Sequence, residues 1–159
     1  MIIREMTLED LDSVYNLELD SYKTPWTKQM FIDELTTNQY AHLFVAEING
    51  VIVGYTGVWI VLDTSTITKV TVARPLRKKG IGDILVKDLI NRCINSGCVY
   101  ISLEVRVSNE NAIKLYENNG FENVGKRKKY YSDGEDAFAM ILELEMNGDD
   151  DYEETYISD

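Results

Sequence analysis

The amino-acid sequence predicts a single α/β (α+β) domain, with a mixed, mostly antiparallel central sheet and helices on both faces. Three observations carry that expectation. The chain has 159 residues, 45% of them hydrophobic and 27% charged, enough for one core and ordinary for a globular protein. Asn49-Gly50 separates two β-prone runs, a strong signal for a two-residue antiparallel hairpin. Lys69 to Gly82 reads as strand, basic loop and helix start, and another strand follows that helix. Such a crossover places its two strands side by side and parallel.

Taken in order, Ile2-Ile3-Arg4 is a short first strand. Thr7 is a helix cap, with Asp10 in the place of the usual Glu or Gln of a capping box. Leu8, Leu11, Tyr15 and Leu19 then form one apolar stripe, with Val14 beside it. Thr27 caps a second helix. Trp26 before it and Phe31 after it are spaced as a hydrophobic staple. His42–Ile48 and Val51–Val61 are the hairpin strands. Gly54 and Gly57 suggest a bulge or bend in the second of them. Asp63-Thr64-Ser65 turns the chain into a strand ending at Val72, which Pro75 closes for want of an N–H. Ile81, Ile84, Leu85, Leu89 and Cys93 recur at helical spacing up to Asn95, and Ser96-Gly97 ends that helix. Val99–Val105 is a strand. Asn109 caps a helix that Asn119-Gly120 ends. Phe121–Tyr131 and Ala137–Met146 are the last strands, with Asp133-Gly134 as their turn. The order is β-α-α-β-β-β-α-β-α-β-β.

The formal net charge is −11. Six of the 27 acidic residues, and none of the 16 basic ones, lie in Asn147–Asp159. That tail has no apolar periodicity and is expected to be solvated and disordered, which leaves a domain over residues 1–146. The acidic balance argues against nucleic acid as a direct ligand. No apolar run reaches membrane-spanning length, and Met1-Ile2-Ile3-Arg4-Glu5 does not read as a signal peptide. Cys93 and Cys98 do not make a disulfide framework, so reduced thiols in the cytoplasm are the simplest reading. His42 is the only histidine, which argues against a metal centre built on His and Cys.

The candidate chemistry gathers at five places. Arg77, Lys78 and Lys79 precede Gly80-Ile81-Gly82-Asp83 at a helix start. Unpaired N–H groups and the helix dipole suit a pyrophosphate there. The spacing is R-x-x-G-x-G, neither a P-loop nor a dinucleotide fingerprint. The plain alternative is a basic turn with a glycine-rich helix start. In the strand Val99–Val105, Ile101, Leu103 and Val105 face one way, and Ser102 and Glu104 the other. Glu104 is either a surface carboxylate paired with a base such as Arg106 or a general base. Asn109 and Tyr116 lie two turns apart on one helix face. Tyr116 is either a core residue or a phenol beside a ligand. Trp26 is a staple or a pocket wall, and Lys126 to Lys129 are a solvated strand face or a basic rim.

At this point a resemblance becomes specific. Pro25-Trp26, the R-x-x-G-x-G loop, Leu103-Glu104-Val105-Arg106, Ser108-Asn109 and Leu115-Tyr116-Glu117 resemble the RimI-type protein N-terminal acetyltransferases of the GNAT superfamily. So do Gly120-Phe121, Tyr130-Tyr131 and Asp133-Gly134-Glu135-Asp136-Ala137. The resemblance spans nearly everything before the acidic tail. It implies a GNAT-like fold and transfer of acetyl from acetyl-CoA to the α-amino group of a protein. In the bacterial branch the acceptor is the N-terminal alanine of a small-subunit ribosomal protein. It implies Glu104 as general base and Tyr116 as general acid. It implies that Val70, Thr71 and Val72 pair with the pantetheine arm, that Lys78 to Asp83 hold the pyrophosphate, and that Asn109 contacts the cofactor. Trp26 and Tyr131 would shape the peptide slot. Two positions depart from the family pattern. Pro75 sits one place later than in the usual V-x-P, and Asp83 replaces a common basic residue.

The expected route is direct transfer in a ternary complex, without metal and without a covalent enzyme intermediate. Cys93 lies in a helix stripe, and Cys98 lies before the start of Glu104's strand. The expected partner is a protein N-terminus, with no nucleic acid or membrane, and the chain works as a monomer or weak dimer. Two other readings stand beside this one: a polyamine-type acetyltransferase, which the negative charge suits, and a non-catalytic acetyl-CoA-binding module.

Overall fold

The protein is described here by a computed structural model covering residues 1–145. The acidic tail, and the Met146 end of the last expected strand, lie outside the described residues. The strands are β1 (Ile2–Glu5), β2 (Ala41–Ile48), β3 (Val51–Val61), β4 (Thr64–Val72), β5 (Tyr100–Arg106), β6 (Glu122–Arg127) and β7 (Ala137–Glu143). The helices are α1 (Leu11–Ser21), α2 (Lys28–Thr36), α3 (Ile81–Asn95) and α4 (Glu110–Asn118). Short 3-10 turns precede α1 and follow β4. The element order is the expected one.

One sheet runs β1-β2-β3-β4-β5-β7-β6. Every neighbouring pair is antiparallel except β4 and β5, which are parallel. Alternate residues of β2 feed two cores. Leu43 and Val45 pack with Val14 of α1 and Phe31 of α2, while Phe44 packs with Val86 and Leu89 of α3 and Tyr116 of α4. So α1 and α2 cover one face, and α3 and α4 the other.

The first helix enters through Asp10, whose carboxylate accepts the Thr7 N–H at 2.8 Å and both nitrogen arms of Arg4 at 2.8 Å. The Arg4 guanidinium holds the Asp10 carboxyl below the usual carboxylate range, helped by Thr7 and opposed by burial. A depressed folded pKa stabilises above the unfolded value of about 3.9, and the gain is lost as pH falls through the folded value. Asp10→Asn is therefore expected to lower stability by about 1 kcal/mol at neutral pH. The gap to wild type in urea unfolding should close as the pH drops below about 4. A gap independent of pH contradicts this origin.

Along α1 the expected stripe is rotated. Leu8 and Leu19 are half exposed, while Val14 and Glu18 are fully buried. An acid takes the core position because Tyr55, Lys69 and the Trp26 backbone all donate to it. At α2, Thr27 accepts the Met30 N–H at 3.1 Å, and the Trp26 and Phe31 rings meet with centroids 5.1 Å apart. The staple is therefore formed as expected.

Asn49 and Gly50 both have positive φ, as a tight hairpin requires. The next turn is Leu62-Asp63, not Asp63-Thr64-Ser65, because Thr64 already pairs with Val61. The β3–β4 register shifts between Gly57 and Val58, leaving Thr68 as an extra residue in β4. A Cβ on Gly57 would lie 2.5 Å from Thr68 Oγ1, so only glycine fits beside this bulge. Before the bulge Ile67 faces the α3 side; after it Val70 and Val72 do. The last two strands are shorter than expected, ending at Arg127 and Glu143. The chain leaves the ladder at Lys128 because residues 128–136 are held by side chains instead. Asp136 accepts the Lys129 N–H, and Glu135 accepts the Ser108 N–H.

Candidate active site

The site begins with a failure to pair. β4 and β5 match only at Thr64–Tyr100, Ser65–Ile101 and Thr66–Ser102. Beyond those positions the bulged strand parts from its neighbour, and a cleft of about 640 Å³ opens between them. Its walls include Trp26, Val70, Glu104, Asn109, Tyr116 and Tyr131. These six expected residues come from six separate elements or connections, and the sheet topology brings them around one space.

Glu104 projects from the face of β5 opposite the buried Ile101, Leu103 and Val105. Its side chain is 19% exposed and pairs with Arg127 Nε at 3.2 Å, not with Arg106. Tyr116 descends from α4 into the core, packed edge-to-face on Phe121 at 5.6 Å. Burial raises its phenol pKa well above the ordinary value. Asn109 Oδ1 caps α4 by accepting the Ala112 N–H at 3.2 Å, which leaves its NH2 group outside the cap.

Arg106 gathers the far wall. One of its nitrogens donates to Asp133 and Glu135, another to Thr24 Oγ1, and its guanidinium lies 4.0 Å from the Tyr131 ring centroid. It ties β5, the α1–α2 connection and the 128–136 loop into one rim. Burial pushes the Tyr131 phenol up to about 12, against the opposing pull of the Arg106 charge. Arg106→Ala is expected to speed proteolytic cutting within residues 128–136 roughly tenfold. Unchanged cutting contradicts the tie.

Lys69 and Tyr22 also line the cleft and were not among the expected site residues. The Lys69 ammonium lies 4.0 Å from the Tyr22 ring centroid and 4.6 Å from that of Trp26, and it is paired with Glu18 at 2.7 Å. It fixes the Trp26 wall from beneath. A lone base inside a β-branched strand was the only available hint, and it does not name the partner. The Tyr22 hydroxyl meets Thr71 Oγ1 at 2.5 Å, and burial pushes its pKa up to about 12.

The glycine loop lies farther along. Thr71, Val72 and residues 77–83 are not part of the cleft wall. Gly80 has φ +86°, left-handed, which turns the loop into α3. The helix's first bond runs from the Ile84 N–H to the Gly80 carbonyl at 3.2 Å, so the N–H groups of Ile81, Gly82 and Asp83 have no acceptor within the helix. A Cβ on Gly82 would meet Leu115 of α4 at 3.3 Å and Val72 at 4.0 Å. The amides therefore sit between the end of β4 and the helix that carries Tyr116. Lys78 and Lys79 are exposed. Arg77, expected at the pyrophosphate, turns inward: Nε donates to the Val72 carbonyl at 2.9 Å and Nη2 to Ser21 Oγ at 2.8 Å. Asp83 is paired with Lys87 and accepts from Asn119, and both hold its carboxyl below the usual range. Its charge is thus answered by those groups rather than by Lys78 and Lys79.

Among the described residues no group of three His, Cys, Asp or Glu side chains is placed to hold a metal ion, and no helix is long and apolar enough to cross a membrane.

Residues 11–121 match the Acetyltransferase (GNAT) family. A relative from Bacillus subtilis (strain 168), named as a candidate [ribosomal protein bS18]-alanine N-acetyltransferase, is 43% identical over 143 residues, covering 89% of this chain and 95% of its own. The [ribosomal protein bS18]-alanine N-acetyltransferase of Escherichia coli (strain K12) is 31% identical over 147 residues, 91% of this chain and 98% of its own. The crystal structure of the ribosomal-protein-S18-alanine N-acetyltransferase from Escherichia coli superposes with TM-score 0.83, covering 91% of this chain and 94% of that one. Family match, identity and backbone agree, and the chain belongs to the GNAT acetyltransferase family.

Proposed function

We propose that this acetyl-CoA-dependent enzyme acetylates the α-amino group of a protein, the N-terminal alanine of a small-subunit ribosomal protein being the acceptor its relatives' names point to. The observation that carries the reading is the splay of β4 from β5, with Glu104 and Tyr116 on the walls of the cleft it opens. The proposed setting is the cytoplasm, with the chain acting as a monomer or weak dimer.

The residues present fit acetyl-CoA. The amides of Ile81, Gly82 and Asp83 offer donors to a pyrophosphate, with Lys78 and Lys79 beside them. Arg77 braces that loop from within. The edge of β4 from Val70 through Thr71 to Val72, unpaired toward β5, offers backbone groups to the pantetheine arm. The NH2 group of Asn109 adds a donor at the cleft. Trp26 and Tyr131 bound the slot for the acceptor.

An α-amine must be neutral to attack. Its reference pKa is about 8, against about 10.4 for lysine, so near neutral pH the N-terminus loses its proton far more readily. Glu104, through a water, takes that proton. A carbon–nitrogen bond forms to the acetyl carbon as the carbon–sulfur bond breaks, and the nitrogen sheds its second proton to water. N–H groups of the open β4 edge polarise the acetyl carbonyl. Tyr116, kept protonated by burial, hydrogen-bonds the departing thiolate and gives up its phenolic proton. Solvent restores both groups.

The test is to incubate the purified full chain with acetyl-CoA and either an alanine-ending ribosomal peptide or spermidine. Acetyl on the peptide α-amine, with spermidine the poorer acceptor, supports the reading. Spermidine as the better acceptor favours the polyamine alternative. Acetyl-CoA binding without any transfer favours the non-catalytic module.

A further inference from the structure

We propose that Arg127 is a specificity-determining residue, a tethered cation that holds the acceptor's place on Glu104 and bars small cationic amines. The inference rests on transfer to a peptide α-amine as read above. It starts from the contact itself: Arg127 Nε lies 3.2 Å from Glu104 Oε1. A positively charged nitrogen therefore already occupies the carboxylate that an incoming ammonium needs.

The sheet explains how it gets there. β7 lies between β5 and β6, and Glu104 pairs with Ala139, which pairs in turn with Gly125. Arg127 pairs with Ala137, two residues along β7 on the same face as Ala139. The side chain thus reaches Glu104 across alanine and glycine positions. A Cβ on Gly125 would meet nothing within 4 Å, so that path is open. Tyr130 flanks the pair, feeling both the Glu104 charge and the Arg127 charge.

The same features make the cation removable. Arg127 is 61% exposed, and β6 is the sheet's edge strand. Among the described residues Glu104 is its only ion-pair or hydrogen-bonding partner. Arg106, the other guanidinium nearby, is taken by Asp133 and Glu135 and does not compete. Ion pairs this exposed are weak enough to exchange. A small amine trades one cation for another on Glu104 and gains little else. A peptide N-terminus also gains contacts along Trp26 and Tyr131, so it displaces Arg127 on better terms. Lys128 and Lys129, exposed just beyond Arg127, add positive charge against polycations, whereas Lys126 lies over the Phe138 ring on the other face of the sheet.

The test measures kcat/KM for spermidine and for an alanine-ending peptide, using the full chain and R127A. Removing the tethered cation is expected to raise spermidine turnover about fivefold and peptide turnover less than twofold. R127K, which keeps the charge, should hold near the wild-type ratio. A peptide-to-spermidine ratio unmoved by R127A overturns the proposal, as does an equal fall for both acceptors. If the wild-type chain acetylates no peptide, the acceptor reading fails first, and the Arg127 proposal falls with it. If it acetylates the peptide and only the ratio stays fixed, the Arg127 assignment alone is wrong.

Discussion

Replacing Tyr116 by Phe is expected to lower kcat by roughly 100-fold or more while leaving acetyl-CoA affinity within about threefold. The change removes one oxygen and keeps the ring. The ring is what packs: it sits against Phe121, within the core shared by α3, α4 and β5. Folding should therefore be little disturbed. In the proposed mechanism the lost hydroxyl matters only when a thiolate develops, since burial has raised its pKa and keeps the proton in place until then. An interaction made only in the transition state lowers kcat and kcat/KM together, and binding of the cofactor alone does not report it. Calorimetry with acetyl-CoA and steady-state kinetics on the same preparation separate the two. Unchanged turnover would remove Tyr116 from the mechanism.

The second large effect is on stability. Glu18 is fully buried, and its carboxylate receives the Tyr55 hydroxyl, the Trp26 N–H at 2.8 Å and the Lys69 ammonium at 2.7 Å. Glu18→Ala leaves that ammonium without its anion, in a place where burial already lowers the Lys69 pKa against the opposing pull of Glu18. It also strands the Tyr55 hydroxyl. Breaking such a pair on one side costs about 3–5 kcal/mol, a large share of a domain's total stability. Urea unfolding gives the number. Replacing both partners by apolar residues, Glu18→Leu with Lys69→Met, should recover the part due to the lone charge, while the Tyr55 hydroxyl and the Trp26 N–H still lack their acceptor. A double variant no better than the single one contradicts the buried-charge explanation.

These two residues also mark what a single sequence reveals. The place of Tyr116 on a helix beside the cleft was readable because its signals are local: an Asn cap, a helical stripe, and a motif around them. The same holds for Asn49-Gly50, for the Trp26 staple, and for the parallel β4–β5 pair that follows from a strand, a helix and a strand. Glu18 was not readable. Its partners Tyr55 and Lys69 lie 37 and 51 residues away, and at its position an acid looks like the polar flank of a stripe. The bulge at Thr68 was half readable: Gly54 and Gly57 announced an irregularity in β3, but the extra residue sits in the partner strand. Arg77 is a different case. Its place in a basic loop suggested a phosphate ligand, whereas the Val72 carbonyl and Ser21 already occupy its guanidinium. Spacing tells which residues a loop carries, not which way they turn.

The most direct test of the account is a crystal structure of the chain with CoA joined covalently, through an acetyl bridge, to the α-nitrogen of an alanine-ending peptide. The account predicts the pyrophosphate on the amides of Ile81, Gly82 and Asp83, the sulfur within hydrogen-bonding reach of the Tyr116 hydroxyl, and the α-nitrogen within one water of Glu104, with Trp26 and Tyr131 against the peptide. A ligand that threads elsewhere, or one whose bridge lies away from both Glu104 and Tyr116, contradicts it.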